Sequence, residues 1–320
     1  MKILITGAGG WLGSELTKTL LDKGNHVKAL SLGESKSLEE LKSIYNDNLE
    51  IINANITDTE IIRDSMVGVN HIYHLAAKVH YIPISEDEIK EFFNINTGAT
   101  ENIFKLAIEN NVERVIFYST VSVYEESNEI LNVNNIKKPK TPYGKSKLMA
   151  EKIGLKLYKE KGLPLTIIEP VTVYGGADVG NFKKLEKFIN KGVSVIFGDG
   201  ENKKTVIYYK DLIEMTINIA KDNNAIGKVI ICGTENISVQ DINKSLISRV
   251  NKRVLKIRIN KWVSKFIIKV SNILGLSIFK KIGRQIKVLM NNNIYEIEGC
   301  KRYVDSYTTF YEYFNKREKK

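Results

Sequence analysis

The sequence predicts an α/β fold: a doubly wound parallel sheet covered by helices on both faces, with a smaller C-terminal lobe. Three observations predict it. An apolar strand at residues 2–6 runs directly into a glycine-rich turn and then a helix. Strand-like and helix-like segments then alternate over most of the first half of the chain. Finally, Tyr143 and Lys147, four residues apart, open one of those helices immediately after a proline. Alternation of this kind builds βαβ units around a parallel sheet. Such sheets bind ligands at the carboxyl ends of their strands.

The elements follow in order. After the strand at 2–6, residues 11–23 carry helical spacing, with Leu12, Leu16, Leu20 and Leu21 on one face. Further strands are predicted at 26–31, 49–54, 69–75, 113–118 and 165–169, and helices at 86–110 and 143–161. Beyond residue 175 the alternation weakens. Gly175-Gly176 reads as a loop, 181–191 as a short helix, and 193–197 as a strand before the Gly198-Asp199-Gly200 turn. Residues 206–209, a helix at 211–221 and a strand at 228–232 resume the main pattern. A helix at 239–250 and the basic region after it supply most of the lobe. The expected division is 1–174 with 206–233 for the sheet domain, and 175–205 with 234–320 for the lobe.

The chain has 320 residues and is 43% hydrophobic, enough for one large α/β domain carrying a lobe. No apolar run reaches the roughly 18 residues of a spanning helix. The N-terminal apolar run stops at the glycine turn, unlike a signal peptide, so a cytoplasmic protein is expected. Cys232 and Cys300 lack His or Cys neighbours at ligand spacing and read as ordinary reduced thiols, with no metal site.

The net charge is +11, and residues 251–320 hold 17 Lys/Arg against 5 Asp/Glu. A basic lobe suits an anionic substrate, an acidic membrane or nucleic acid. A solvated surface is the favoured reading, and no nucleic-acid partner is expected. Within this lobe Trp262, Val263, Phe266, Ile267, Val270, Ile273 and Leu274 recur at helical spacing, interleaved with Lys261, Lys265, Lys269, Lys280 and Lys281. The expected structure is a helix packed through that apolar face on the lobe, with its lysines in solvent. Peripheral docking on anionic lipid is the less favoured alternative.

The turn Gly7-Ala8-Gly9-Gly10-Trp11-Leu12-Gly13 has the spacing Gly-x-x-Gly-x-x-Gly. Gly7 permits a tight turn, Gly10 lets backbone approach a pyrophosphate, and Gly13 lets the helix pack on the strand. Free N–H groups at the helix N-terminus then face the anion. The strand at 26–31 ends on the residue that reads the adenosine ribose. An acid there accepts from the 2′-hydroxyl of NAD. Here it is Ser31, with Lys36 nearby, which tilts the choice between NAD and NADP slightly towards NADP.

Tyr143 and Lys147 share one helix face. A phenol titrates near 10, too high for proton exchange near neutrality, and a fixed ammonium lowers that value. Lys147 does this while holding a ribose hydroxyl, and Tyr143 exchanges a proton with a carbonyl or alcohol oxygen as hydride moves to or from nicotinamide. Thr120, just beyond the strand at 113–118, aims its hydroxyl at the same oxygen. Ser119 and Ser122 support it, and Ser122 also lies within reach of substrate.

At this point the sequence resembles the NAD-dependent epimerase/dehydratase family, the extended short-chain dehydrogenases, over nearly its whole length. The resemblance lies in 6–13, His74-Leu75-Ala76-Ala77, 96–102, 119–124, 142–147, 169–175 and Gly198-Asp199-Gly200. It implies a Rossmann-type sheet. It also implies a cofactor cleft lined by Gly7, Gly10, Trp11, Leu12, Gly13, Ser31, Asn55, Ile56, Leu75, Ala76, Ala77, Lys78, Asn96, Tyr118, Pro170 and Val173, with Tyr143 and Lys147. Two finer features, Ala76-Ala77-Lys78-Val79-His80 and 179–182 with 202–208, are similar to 4-epimerases and 4-ketoreductases of UDP-sugars used for surface polysaccharides. They imply a substrate site of Lys78, His80, Thr120, Ser122, Tyr143, Asn181 and Lys204, a UDP-sugar substrate and a homodimer. Lys204 stands where an arginine fork is common, and Asn181 also suits a helix cap.

The chain departs from the family pattern at several places. The ribose-reading acid is Ser31, the adenine-reading aspartate is Asn55, and the Arg…Asn of the 169–175 motif is Glu169…Thr172. Two other readings of the same residues stand beside the sugar enzyme. One is a reductase of a non-sugar ketone or alcohol, since fold does not fix substrate. The other is a non-catalytic dinucleotide-binding protein, against which the complete Thr120, Tyr143 and Lys147 set argues.

Overall fold

The computed structural model of the chain describes residues 1–79, 85–177, 181–273, 283 and 286–315. Its centre is a seven-stranded, all-parallel sheet. The strands of the amino-terminal half are β1 (Lys2–Thr6), β2 (His26–Ser31), β3 (Leu49–Asn53), β4 (His71–His74) and β5 (Arg114–Tyr118). A two-residue strand β6 (Ile130–Leu131) lies outside the sheet. Next come β7 (Leu165–Pro170), β8 (Thr172–Tyr174), β9 (Val193–Phe197), β10 (Lys203–Tyr208) and β11 (Val229–Cys232). The order across the main sheet is β11-β7-β5-β4-β1-β2-β3. The chain winds outward from β1 to β3, then restarts at β4 and winds the other way. The crevice between the carboxyl ends of β1 and β4 is therefore the switch point where such sheets bind ligands.

Alternation along each strand feeds two apolar layers. Ile3 and Ile5 of β1, with Ile116 of β5 and Ile168 of β7, face one layer. Leu4, Val115, Phe117, Leu165 and Ile167 face the other. The helices that close these layers are α1 (Trp11–Asp22), α2 (Lys36–Tyr45), α3 (Thr59–Ser65), α4 (Glu86–Phe93), α5 (Thr100–Glu109), α6 (Pro142–Lys161) and α8 (Tyr209–Lys221), while α7 (Asn181–Asn190) buries Phe182 and Ile189 in a separate cluster. The sequence reading lacks α2 and α3. Each buries only two side chains, Leu38 and Leu41 in α2, and Ile62 and Ser65 in α3, too few to leave a strong periodicity.

The helix predicted at 86–110 is two helices. Ser85 and Glu88 start α4 with a reciprocal capping box, and a π-helical turn at Asn94–Ala99 separates it from α5. Inserted π turns of this kind concentrate at functional sites. Helix α6 begins where its sequence says: Thr141 caps it by accepting from the Gly144 N–H at 3.0 Å, Pro142 occupies its first turn, and Gly162 ends it in the left-handed region at φ 71°.

Residues 206–208, expected to rejoin the main sheet, do not. They belong to β10, which pairs with β8 and with β12 (Glu235–Ser238) in a separate three-stranded sheet. Helix α9 (Val239–Ser248), strand β13 (Leu255–Ile259), helix α10 (Lys261–Ile273), strand β14 (Ile294–Tyr295) and the helices α11 (Glu298–Lys301) and α12 (Phe310–Asn315) complete the chain. A third apolar cluster joins Tyr174, Phe182, Val206, Ile237, Ile242, Leu246, Phe310 and Phe314. The short β14 pairs with β6, which ties the 125–141 loop to the C-terminal segment.

Cys232 and Cys300 are buried free thiols. Among the described residues no helix is long and apolar enough to cross a membrane. His80, Val179, Gly180, Leu274, Lys280 and Lys281 lie outside the described residues, as does the side chain of Asn181.

Candidate active site

The three glycines of the first turn do different work. Gly7 has φ 74°, and a Cβ there would sit 2.7 Å from the backbone N of Ala76. That close approach brings the end of β1 against the end of β4. A Cβ on Gly13 would strike the Gly7 carbonyl and lie 2.8 Å from the Cα of Ala8, so α1 could not seat on the turn. Gly10, the N-cap of α1, is different: a Cβ there meets only the Gly7 carbonyl, at 3.3 Å. The protein's own packing hardly requires that glycine. The Gly10 N–H itself donates to the Gly7 carbonyl at 3.1 Å, and what the absent side chain leaves is room for an anion to approach the N–H groups of the first turn of α1. The buried indole N–H of Trp11 next to it has no hydrogen-bond partner.

Gly9, given no role by the glycine spacing, is fixed by Ser31. A Cβ on Gly9 would collide with the Ser31 hydroxyl. Ser31 is buried at the end of β2, directly against the glycine turn. Lys36, the cation that tilts the reading towards NADP, reaches Glu40 instead, at 3.9 Å. Asn55 lies exposed after β3 and accepts from the Thr57 N–H at 3.1 Å, while Ile56 is buried.

On the other side of the switch point, Leu75, Ala76, Ala77 and Lys78 leave β4 half-buried. Asn96, inside the π turn, clamps them. Its carbonyl accepts from the Lys78 N–H at 2.7 Å, and its amide donates to the Lys78 carbonyl and to Ser146 Oγ, both at 3.1 Å. Thr97 donates to the Ser146 carbonyl at 2.9 Å. One turn thus fixes the 75–78 segment and the start of α6 relative to each other. The Lys78 ammonium pairs with Glu91. Below them His74, fully buried and bonded to Thr6 and Thr100, is held neutral by desolvation.

Tyr143 and Thr120 come together, and Lys147 follows one turn further along α6. Thr120 caps the turn after β5, accepting from the Ser122 N–H at 3.1 Å, and it lies close enough to the Tyr143 hydroxyl to pull its pKa down. Gly144 packs against the Ser122 carbonyl so closely that no Cβ would fit. Desolvation pushes the Tyr143 pKa up to about 12, with Thr120 opposing. Lys147 is 1% exposed, and desolvation lowers its pKa to about 7, with Glu151 opposing. Its ammonium lies 4.1 Å from the centre of the Phe117 ring and has no ion pair among the described residues.

A buried cation without a counter-ion is costly unless oxygen ligands are brought to it. The hydroxyls of a ribose fit that need, as the side-chain-free start of α1 at Gly10 fits a pyrophosphate. The residues present therefore suit a nicotinamide dinucleotide.

Tyr118 is placed differently from the expectation. Its hydroxyl bonds Thr216 of α8 at 2.7 Å, inside the core, which leaves only its backbone for a ligand. Pro170 and Val173 are half-buried at the end of β7 and in β8, and Ser122 is exposed. Lys204 is held by the segment after α10: its ammonium donates to the carbonyls of Val288 at 2.6 Å and Asn291 at 2.8 Å. Two of its three N–H groups are occupied, and one remains.

The structure also shows a buried charge cluster absent from the sequence reading. Lys137, in the 125–141 loop, bridges Glu151 of α6 at 2.6 Å and Glu169 of β7 at 2.5 Å. Ser119 bonds Glu151, and the Tyr124 hydroxyl donates to Glu169 at 2.8 Å. Desolvation and the neighbouring Glu151 push the Glu169 carboxyl up to about 7. Against the pull of desolvation, the two carboxylates hold Lys137 above its usual range. The signal was Glu169 standing where an arginine is usual: a reversed charge in a buried strand needs a cation from elsewhere.

A family model describing the NAD dependent epimerase/dehydratase family matches residues 3–233. The chain belongs to that family. It is accordingly an enzyme of the extended short-chain dehydrogenase type. Within this family the chain is similar to a UDP-glucose 4-epimerase of Vibrio cholerae, 26% identical over 270 residues that cover 82% of this chain and 80% of that one. It is similar to the same degree to a 3 beta-hydroxysteroid dehydrogenase/Delta 5-->4-isomerase of Mycobacterium tuberculosis, 26% identical over 82% of this chain and 74% of that one. Identity alone therefore does not choose the substrate. A solved structure of UDP-glucuronic acid 4-epimerase from Bacillus cereus in complex with NAD superimposes with a TM-score of 0.77 at 24% identity, covering 98% of this chain and 96% of that one. At that identity the likeness speaks for the fold.

Two predictions come from this geometry. Gly13→Ala is expected to lower stability by about 1–3 kcal/mol, because its new atom meets backbone. Gly10→Ala is expected to melt near the wild type but to bind dinucleotide on the order of tenfold more weakly. Thermal unfolding and titration calorimetry on the two variants check this, and similar profiles for both would contradict it. Lys137→Met leaves two buried carboxylates together and is expected to cost about 3–5 kcal/mol at pH 8. Glu169 has its folded pKa raised, so it takes up a proton as pH falls through about 7, and the loss shrinks at pH 5. Denaturant unfolding at both pH values tests the sign, and equal losses would refute it.

Proposed function

We propose that the protein carries out redox chemistry at C4 of a UDP-linked sugar, as a 4-epimerase or 4-ketoreductase. The observation that carries the reading is the approach of Thr120 to the Tyr143 hydroxyl at the start of α6, with the Lys147 side chain buried and, among the described residues, without an ion pair one turn further along the same helix. A nicotinamide cofactor supplies the hydride chemistry when bound. The remaining work falls to side chains of this chain. Tyr143 exchanges a proton with the C4 oxygen. Thr120 hydrogen-bonds that oxygen and holds the phenol in line. Lys147 favours the phenolate by charge.

The diphosphate end of the substrate is assigned to the lobe. Lys204, with one free N–H, and Asn181 at the start of α7 are its proposed contacts. A polar turn at 198–204 favours this ligand over a steroid-like ketone. A homodimer is the proposed assembly. As cofactor we propose NAD or NADP, with Ser31 as the discriminating position.

UDP is expected to raise the melting temperature of the protein, as a ligand selective for the folded state must. Absence of any UDP shift, together with a shift from an apolar ketone, would move the substrate to the non-sugar class. Tyr143→Phe is expected to keep dinucleotide affinity and lose turnover by at least about a hundredfold. Nicotinamide retained through purification, with no need for added cofactor, would select the epimerase over the reductase.

Ser31→Asp places a carboxylate where it accepts from a 2′-hydroxyl and repels a 2′-phosphate. The ratio of NAD to NADP dissociation constants is expected to move towards NAD. An unmoved ratio would show that residue 31 does not read the ribose.

A further inference from the structure

Helix α10 is turned opposite to the amphipathic expectation. Its buried positions include Ser264, at 0% exposure, and Ser271, at 4%. Ser264 donates to the Asn260 carbonyl at 3.0 Å and Ser271 to the Ile268 carbonyl at 2.7 Å, so both hydroxyls are satisfied by backbone. Gly283 packs so tightly on Ser271 that a Cβ there would collide with its hydroxyl. Trp262, Val263 and Phe266 point out, while Ile267, Ile268 and Val270 are half-buried. Trp262 is 77% exposed, Phe266 60% and Val263 43%. The preceding strand, β13, exposes Leu255 and Ile257 as well.

The charge around this face has one sign. From residue 242 to residue 295 the sequence contains 13 Lys or Arg and no Asp or Glu. On α10 itself Lys261, Lys265 and Lys269 are exposed at intervals of four, forming a stripe beside Trp262 and Phe266. None of the three has an ion pair among the described residues. A helix that keeps small polar residues inside, aromatic residues outside and a line of lysines alongside has the pattern of one that lies in a membrane–water interface.

We propose that α10 docks this enzyme on an anionic lipid surface. Trp262, Val263 and Phe266 enter the headgroup region, and Lys261, Lys265 and Lys269 meet lipid phosphates. A second copy of the chain is a poor occupant. A two-fold interface sets a patch against itself, which would oppose lysine to lysine. A nucleic acid would satisfy the lysines but leave Val263, Leu255 and Ile257 in water. A lipid surface takes both the charge and the apolar area. The helix lies in the interface rather than across it, since no described helix can span a membrane.

Co-sedimentation of the full-length protein tests this. At low salt it is expected to pellet with vesicles of mixed phosphatidylcholine and phosphatidylglycerol and to stay in solution with phosphatidylcholine alone. Raised salt weakens the binding. Lys265→Glu/Lys269→Glu is expected to reduce partitioning by about tenfold or more. Trp262→Ala/Phe266→Ala is expected to reduce it comparably with every charge kept. All four residues are exposed, so both variants should melt as the wild type does, which separates lost docking from lost folding.

The chain has two tryptophans. In Trp11→Phe the emission of Trp262 alone should shift to the blue on anionic vesicles. Protein left in solution with anionic vesicles at low salt overturns the proposal. So does binding indifferent to Trp262→Ala/Phe266→Ala, or a solution mass that falls by half in either double variant. Tighter binding to duplex nucleic acid than to anionic vesicles, lost in Lys265→Glu/Lys269→Glu, would give the surface to that partner instead. None of these readouts involves turnover, so the proposed reaction stands or falls separately.

Discussion

No side chain fits between residue 7 and the backbone of Ala76, and the rest of the site depends on that fact. The sheet reverses its winding between β1 and β4, so their carboxyl ends are the two lips of one crevice. A glycine with positive φ at residue 7 lets the lips meet at van der Waals distance. It also turns the chain so that α1 points its N-terminus across the crevice. With any larger residue there, either α1 would tilt away or the 75–78 segment would retreat. In both cases the N-terminus of α1 would lose its place at the crevice.

The second lip is held by hydrogen bonds rather than by close packing. Asn96 uses its carbonyl and both amide hydrogens, on Lys78 and on Ser146. A regular helix through 86–110 would carry residue 96 on an uninterrupted spiral. The π turn places that side chain toward both segments at once. The start of α6, and with it the Tyr143 and Lys147 pair, is therefore registered to the glycine turn through one amide. Gly144 adds the third constraint, because its missing side chain lets α6 close on the Ser122 carbonyl and brings Tyr143 to Thr120.

The parts legible in the sequence are those written in local signals. The glycine spacing, the Thr-Pro-Tyr helix start and the alternating strands each state their structure within a few residues, and the parallel sheet and the position of Tyr143 and Lys147 at the start of α6 follow. The π turn was not legible, because Asn94–Ala99 is as helix-compatible as its flanks. The direction of Tyr118 was not, because a strand end shows alternation but not which core accepts the last hydroxyl. Residues 206–208 looked like a returning strand by composition alone, and only pairing with Thr172–Tyr174 and with β12 separates them from the main sheet. Helix α10 misled most. Helical periodicity locates an apolar face but does not say that the face is inward. Two serines and a glycine gave a closer inner contact than the aromatic side chains would have allowed.

Two buried lysines show how the site keeps its charge. Lys137 and Lys147 are both withdrawn from water, one in a loop and one in α6. Lys137 takes both nearby carboxylates, Glu151 and Glu169, at hydrogen-bonding distance. Lys147 takes neither and rests over the Phe117 ring. Had Glu151 turned to Lys147, four residues away on the same helix, the ammonium would have been neutralised. Ser119 and Lys137 hold Glu151 on the other side. The charge reversal at residue 169 strengthens that arrangement, since a second carboxylate draws Lys137 inward and Lys137 in turn keeps Glu151 occupied. Lys147 is left as a buried cation whose charge is underused by the protein alone and becomes favourable only when oxygen ligands or a phenolate come to it.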